Sequence, residues 1–552
     1  MRIDKLGRIS FSAVLLWFGF SAISFAGSEP LVWTAGTLHR VGMSEAPSGG
    51  TQVNLAAARN GYASFQVVVN GASGGLNNVN VKVSDLKGPG DKAIPQSSFT
   101  LYREKYVHVT ASSPNWGGSN KPLGPGWYAD ALIPFTNPET GKPLSGAQLT
   151  AVPFDLKSGV NQPIWVDLLV PQNAAPGAYT GTYTVTSNQG SVTGEISLKV
   201  WNFNLPVTPT LKTAFLFSRA GTLEAQQELL RNKISPSATP AVQMPLLKGR
   251  GLNATDTGPF SGADVGNCKM SPAPDVNQFK LRAQNQQPGV LLYDYSADEI
   301  GHCSNLYPTI RQWGYNMHQA GINNLVSMSP TPALYSDGSA TGRSAVDIWV
   351  LLPVMYNNAK GEVAHVLTKG DAVWSYNTLV QDAYSPKWEI DFDPVDFRIQ
   401  PGFISESLNM TGLLYWRIDR WGADPWNDVN NTGAFSSANY PGEGMLVYPG
   451  QPVGVPGVVA SMRLKWLRDG VEDYDYAEIL KGLGKADLAV QIARSVGPDW
   501  TSWTRDPKAV DAAREKLGEA IDHIMSQRTE ENTSAQGLPA EKPAIQPQAS
   551  DR

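Results

Sequence analysis

The sequence predicts a multidomain protein of β and α/β class: an N-terminal β-sandwich, a TIM-like (β/α)8 barrel and C-terminal helices. Three observations lead there. Residues 31 to about 205 contain apolar or Thr- and Tyr-rich runs at strand period, punctuated by Gly, Pro and Asn. Beyond the linker Leu205-Pro-Val-Thr-Pro209, short apolar runs alternate with helical spacing, the pattern of parallel strands joined by crossover helices. After about residue 458 the apolar spacing is helical.

Residues 1–26 read as a signal peptide. Arg2, Lys5 and Arg8 precede an apolar run from Ile9 to Phe25, and Ser24-Phe25-Ala26 supplies a small-x-small cleavage site. The run is short for a bilayer span, so an uncleaved anchor is the weaker reading. The expected location is secreted or periplasmic, with no membrane span in the mature chain.

The sandwich is expected over 27–205, with strands at 64–69, 164–170, 178–186 and 190–200. The barrel is expected over 206–458. Its strands are read at 213–217, 241–247, 290–293, 325–328, 346–350, 372–376 and 412–416. An eighth is either hidden in the Gly-, Pro- and Asn-rich stretch 250–285 or missing there, which would leave the barrel incomplete. A helix follows the first strand, with Thr222 as N-cap and Leu223 to Ile234 as its body. Another carries Ile310, Trp313, Met317 and Ala320 on one face. Helices packed on the barrel are expected over 459–527. Residues 528–552 are polar and expected to be disordered.

Lys and Arg total 44 against 49 Asp and Glu, and no basic stripe is present, so nucleic acid is not an expected partner. Six scattered histidines and two cysteines show no metal-ligand spacing, so neither a metal site nor a cofactor is expected. Cys268 and Cys303 either form a disulfide, as an exported chain permits, or stay as two buried thiols.

The chemistry centres on Gly289-Val-Leu-Leu-Tyr-Asp-Tyr-Ser-Ala-Asp298-Glu299-Ile-Gly301, an apolar strand ending in two carboxylates. Successive strand residues point to opposite faces. Asp298 and Glu299 therefore share a face only if the strand ends or bulges there. Two carboxyls so close oppose joint ionisation, which would keep one protonated as an acid. A capping or ion-pair role is the plainer reading of the dipeptide alone. Aromatic residues recur at the expected strand ends, namely Trp349, Trp374, Tyr376, Tyr415 and Trp416, with Trp421 and Trp426 in the loop beyond. In a βα barrel these ends form the face that carries the active site. Flat rings beside Asp, Asn and Arg suit a sugar, with its apolar C–H faces and rim of hydroxyls.

Further motifs lie in the C-terminal half. The runs Leu413-Leu-Tyr-Trp416, Asp424-Pro-Trp426, Gly442-Glu-Gly-Met-Leu-Val-Tyr-Pro-Gly450, Ser461-Met-Arg-Leu464 and Leu467-Arg-Asp-Gly-Val-Glu-Asp-Tyr474 resemble the DUF4091 domain. That domain belongs with the catalytic region of glycoside hydrolase family 123. Ala58-Arg-Asn-Gly61 and Phe65-Gln66 resemble the β-domain that precedes it. The resemblance implies a glycoside hydrolase with a glycan substrate, acting on β-linked N-acetylgalactosamine by a retaining, substrate-assisted mechanism. Carried over, Glu299 is the general acid and then base, and Asp298 orients the 2-acetamido group. Tyr376 is a candidate hydrogen-bond partner of that group, and Trp374, Trp416 and Trp426 are candidate sugar platforms. Two departures stand out: Ile300 replaces the proline that usually follows the pair, and the segment before the pair is shortened. The charges of Arg468 to Tyr474 are read as structural, through i,i+4 pairing on a helix and anchoring of loops. Two other readings stay open. One is a glycosidase for non-acetamido sugars, with Asp294, Asp347 or Asp419 as the second carboxylate. The other is a non-catalytic carbohydrate-binding protein.

Overall fold

The computed structural model describes residues 30–218, 221–258, 263–284, 287–431, 435 and 437–536. The expected signal peptide lies outside them. The N-terminal part forms two β-sheets. One orders the strands Leu31–Ala35, Tyr62–Asn70, Asn161–Leu169, Phe99–Val109 and Gly126–Pro134, all antiparallel. The other runs Gln52–Arg59, Gly190–Asn204, Gly177–Ser187, Leu76–Val83 and Phe154–Leu156, with the first pair parallel. Alternation decides what each face buries. Phe65, Val67, Val69, Ile164 and Val166 meet Val81, Tyr183, Ile196 and Leu198 in one shared cluster. Trp165 and Asp167 of the first sheet face the other way, into the core shared with the C-terminal helices.

A seven-stranded parallel sheet follows, in the order Lys212–Phe215, Gly412–Tyr415, Ala372–Tyr376, Ile348–Leu351, Asn323–Ser327, Leu291–Asp298 and Ala254–Asp256. The sheet curls until it is nearly closed, and residues 235–239 bridge its two ends. Phe215 N–H donates to Ser235 O, Ser237 N–H to Phe215 O, and Asp256 N–H to Ser237 O. This corrects one expectation and decides between two others. Residues 241–247 do not form a strand; Met244–Lys248 is a short helix with Pro245 in its first turn, where the missing N–H costs nothing. The stretch 250–285 does contain a strand, Ala254–Asp256, and a helix, Val276–Arg282, capped by Asp275.

The sheet buries both faces. Ala214, Tyr293, Leu325, Ile348, Val350, Trp374 and Leu414 fill the interior. Phe215, Ala297, Val326, Trp349, Val373 and Tyr415 pack outward against the surrounding elements. Thr222 caps the helix Leu223–Arg231 by accepting the Ala225 N–H.

The helix Met462–Gly482 joins the two halves. Its charges do not form the expected i,i+4 ladder, because the helix is buried among other elements. Arg463 pairs with Asp130 at 2.8 Å, and both Lys465 and Arg468 reach Asp167 at 2.8 and 2.9 Å. Asp473 accepts from Arg398 at 2.7 Å and from Arg514. Burial opposes ionisation of Asp167, yet Arg468 and Lys465 hold its pKa below the ordinary carboxylate range. Removing one partner of such a pair costs about 3–5 kcal/mol, since the other charge is left buried alone. The helix Pro507–Gln536 extends past the expected boundary, so residues 528–536 are helical rather than disordered. The rest of that tail lies outside the described residues. No described helix is long and apolar enough to cross a membrane.

Candidate active site

The strand Leu291–Asp298 delivers the acid pair by two local devices. Its pairing with Asn323–Ser327 slips at Ser296: Tyr295 faces Leu325, but Ala297 faces Val326. The extra residue inverts the alternation. Tyr293 and Tyr295 point into the barrel, Ala297 points outward, and Asp298 turns inward again beside Tyr295. Glu299 then adopts a left-handed backbone, φ +50°, as the strand ends. Its side chain is exposed, whereas Asp298 is half-buried and Ile300 is buried in the outer core.

The two carboxyls differ in environment. Tyr295 Oη donates to Asp298 Oδ1 at 2.6 Å. Burial raises the Asp298 pKa, while Tyr295 and Ser327 act against that rise. Glu299 is raised too, by partial desolvation where its exposed side chain leaves the barrel mouth, and the neighbouring Asp298 charge adds to it.

Of the expected aromatic residues, the structure gathers only some at this mouth. Tyr376 ends its strand facing the interior; burial, then Asp298, Glu299 and Glu443, push its pKa well above the ordinary phenol value. Trp416 is partly exposed just past the end of its strand. Its indole N–H donates to Glu443 Oε1 at 2.5 Å, and Phe435 meets its ring edge-on at 5.6 Å. Trp374 lies deeper, as core of the barrel rather than platform. It packs edge-on against Tyr293, and a Cβ at Gly412 would sit 2.3 Å from its indole, so only glycine fits there.

Three expected ligands leave the site. Trp349 points outward and donates to Asp371 at 3.1 Å, because its neighbours Ile348 and Val350 take the inward face. Tyr415 points outward for the same reason, beside Phe215 and Trp388. Trp426 is buried against Tyr448 and the Val107–Val109 segment of the first sheet, donating to Pro449 O.

Glu443 is the residue that sequence reasoning passed over. It sits between Gly442 and Gly444, both at positive φ, and a Cβ on Gly444 would lie 2.8 Å from Trp416. The Gly-Glu-Gly spacing was the available signal. Thr378 Oγ1 also donates to Glu443 Oε1, at 3.2 Å, while Oε2 is buried without a partner. Glu389 is buried as well, with neither carboxyl oxygen hydrogen-bonded. Burial raises both pKa values, and the Glu443 charge raises Glu389 further.

Cys303, four residues after Glu299, is disulfide-bonded to Cys268 with a Cα–Cα distance of 5.2 Å. The only group of described residues with metal-ligand proximity is this pair with His302, and the disulfide already occupies both sulfurs.

A family model for the glycoside hydrolase 123 N-terminal domain matches residues 43–187, and one for the glycoside hydrolase 123 catalytic domain matches residues 346–480. Together they take in just over half of the chain. The chain belongs to glycoside hydrolase family 123. Among solved structures, a family 123 glycoside hydrolase from Clostridium perfringens superposes with a TM-score of 0.62 at 14% identity, covering 92% of this chain and 100% of that one. A termite-gut GH10 xylanase with a bacterial Ig-like domain scores 0.28 at 8% identity, over 57% of this chain and 90% of that one. A Parabacteroides merdae β-glucuronidase scores 0.25 at 10% identity, over 75% of this chain and 50% of that one. The last two scores are too low to carry an argument. No curated protein matches the chain.

Within this family 123 glycoside hydrolase, the three aspartates considered as a second carboxylate are engaged elsewhere. Asp347 precedes its strand, on the opposite end of the barrel, and bonds His318 and Arg343. Asp294 is buried and paired with Arg282 at 2.7 Å. Asp419 is buried and accepts from Ser218 N–H and Arg417. Two hollows of about 660 and 780 Å³ lie on the N-terminal sheets, and no barrel strand lines either.

Proposed function

We propose that the chain is an exported β-N-acetylhexosaminidase of N-acetylgalactosamine type, working by retaining, substrate-assisted catalysis. The N-terminal sheets, read as a β-sandwich over 27–205, serve as its scaffold, and the barrel of 206–458 carries the chemistry. One observation carries the reading: the bulge at Ser296 and the left-handed turn at Glu299 bring adjacent carboxyls to one mouth in unlike surroundings. Ordinary retaining glycosidases need two carboxyls about 5–5.5 Å apart on opposite sides of the sugar. Adjacent carboxyls suit a substrate that brings its own nucleophile.

In this mechanism Glu299 gives its proton to the glycosidic oxygen as the bond to C1 breaks. The acetamido carbonyl oxygen attacks C1 and forms an oxazolinium ion, while Asp298 accepts the acetamido N–H. Water then attacks C1, Glu299 takes its proton, and the ring opens back to the acetamide. A raised Glu299 pKa keeps the acid protonated closer to neutrality. In this reading Tyr376 bonds the acetamido group and Trp416 carries the sugar face. The glycolipid glycan hydrolysis described for the Clostridium perfringens relative agrees with a glycan substrate.

The test is hydrolysis of aryl β-N-acetylgalactosaminide, β-N-acetylglucosaminide and β-galactoside by wild type and Glu299→Gln. Turnover of an acetamido sugar, reduced roughly 10²- to 10⁴-fold in the variant, supports the reading. Comparable turnover of the plain galactoside would sink the substrate-assisted mechanism.

A further inference from the structure

The hairpin formed by Phe99–Val109 and Gly126–Pro134 belongs to the N-terminal sheet, yet the loop across its tip is fastened to the barrel. Ser113 donates through its N–H and its hydroxyl to Asp391, at 2.8 and 2.6 Å. Asn120 donates its backbone N–H to Ala383 O and its amide to Ser385 O. At the hairpin end, Thr110 N–H reaches Asn430 Oδ1 at 3.0 Å. Residues 383–391 follow the strand that ends in Tyr376, and Asn430 belongs to the loop that carries Phe435. Both barrel loops leave from strand ends on the face of the acid pair.

Trp116 sits in this fastened loop with 64% of its surface exposed. Its indole N–H donates to Val380 O at 3.1 Å, which fixes the ring while leaving it open to solvent. Val380 is two residues from Thr378, the donor to Glu443, and packs with Tyr440, whose ring lies 6.0 Å from Phe435. A continuous set of contacts thus runs from Trp116 to Trp416. An exposed indole held at a rim by its polar edge offers a flat apolar surface, and none of the described residues covers it. Such a surface fits the C–H face of a pyranose.

We infer that Trp116 is the platform of a second sugar subsite, which holds a ring of the glycan on the leaving-group side of the cleaved bond. The N-terminal domain would then select for an oligosaccharide beyond its terminal residue. The inference rests on the glycosidase reading above for its placement relative to the cleaved bond, though binding itself does not require turnover.

The experiment compares wild type with Trp116→Ala and Trp116→Phe on two substrates: methyl β-N-acetylgalactosaminide, and a tetrasaccharide ending in β-linked N-acetylgalactosamine. Trp116→Ala is expected to lower kcat/KM about tenfold more on the tetrasaccharide than on the methyl glycoside, chiefly through KM, with Trp116→Phe recovering much of it. Equal losses on both substrates would assign Trp116 a structural role and overturn the inference. Calorimetric binding of the tetrasaccharide to Glu299→Gln protein, with and without Trp116→Ala, separates this result from the proposed chemistry. Binding weakened about tenfold by Trp116→Ala supports the subsite even if no bond is cleaved. Unchanged binding, or none to either protein, removes it.

Discussion

Tyr295 Oη lies 2.6 Å from Asp298 Oδ1, and the two residues share the barrel interior only because Ser296 is a bulge between them. Residues three apart on a regular strand face opposite ways. The extra residue therefore creates both the hydrogen bond and the inward carboxylate in one step.

Replacing Tyr295 by Phe keeps the packing and removes the donor. That donor favours ionised Asp298, against the burial that raises its pKa. In Tyr295→Phe the Asp298 pKa should rise, so less of it is ionised at mildly acidic pH. The acidic limb of the pH–kcat profile is expected to move upward by about one unit, with kcat at its optimum falling roughly tenfold. An unmoved limb would mean that Asp298 does not need to be ionised for the rate-limiting step.

Glu443 holds Trp416 by the ring edge, accepting its indole N–H at Oε1. Glu443→Gln retains an acceptor oxygen for Trp416 and Thr378, and is expected to keep kcat/KM within about threefold. Glu443→Ala leaves the indole N–H without its acceptor, a loss of about 1–3 kcal/mol that loosens the platform. Its KM on an acetamido substrate should rise about tenfold or more while kcat changes less. A matching rise in Glu443→Gln would show that the charge, and not the acceptor, is what the site uses.

Much of this architecture was legible in the sequence, because strand and helix periods differ and the barrel runs are distinctly apolar. What stayed hidden has specific causes. The bridge at 235–239 is Ser-Pro-Ser-Ala-Thr, which has no apolar run to announce it. Trp349 and Trp374 look alike in sequence, but one faces outward and the other inward. Strands buried on both faces are apolar at every position, so their alternation does not reveal which side is the interior. The carboxyl pair was visible, and so was its need for an ending or bulging strand, whereas the place of the bulge at Ser296 was not. Nor does sequence reveal that Arg468 meets Asp167, a partner three hundred positions away that only the packing of helix on sheet brings near.

The Cys268–Cys303 bridge ties the segment that leads into the barrel strand to the turn just after Glu299. Closing a loop with a sequence separation of 35 stabilises the fold by about 3–4 kcal/mol in the chain-entropy picture. The double variant Cys268→Ser, Cys303→Ser should lose roughly that much stability by urea unfolding. Because Cys303 lies so near Glu299, its kcat should also drop several-fold at temperatures where the protein remains folded. Proteolysis of the folded variant is expected to cut first within 264–303. Full activity with early cleavage there would restrict the bridge to a stabilising role.

Asp256 ends its barrel strand beside Asp294, and burial followed by the Asp294 charge pushes its pKa up to about 8. The Gly258 and Tyr295 N–H groups and Arg282 only partly offset this. An unfolded Asp titrates near 3.9. Between these two values the folded state holds a proton that the unfolded state has released, so stability falls as pH rises from about 4 to about 8. Asp256→Asn removes that titration while keeping an acceptor for the Gly258 N–H, which Asp256 Oδ1 now receives at 3.0 Å. Relative to wild type, the variant should gain about 1 kcal/mol or more at pH 8 and little at pH 4, read as urea midpoints at the two values. A gain of equal size at both would trace to neutral packing or hydrogen bonding and would leave the Asp256–Asp294 repulsion without energetic weight.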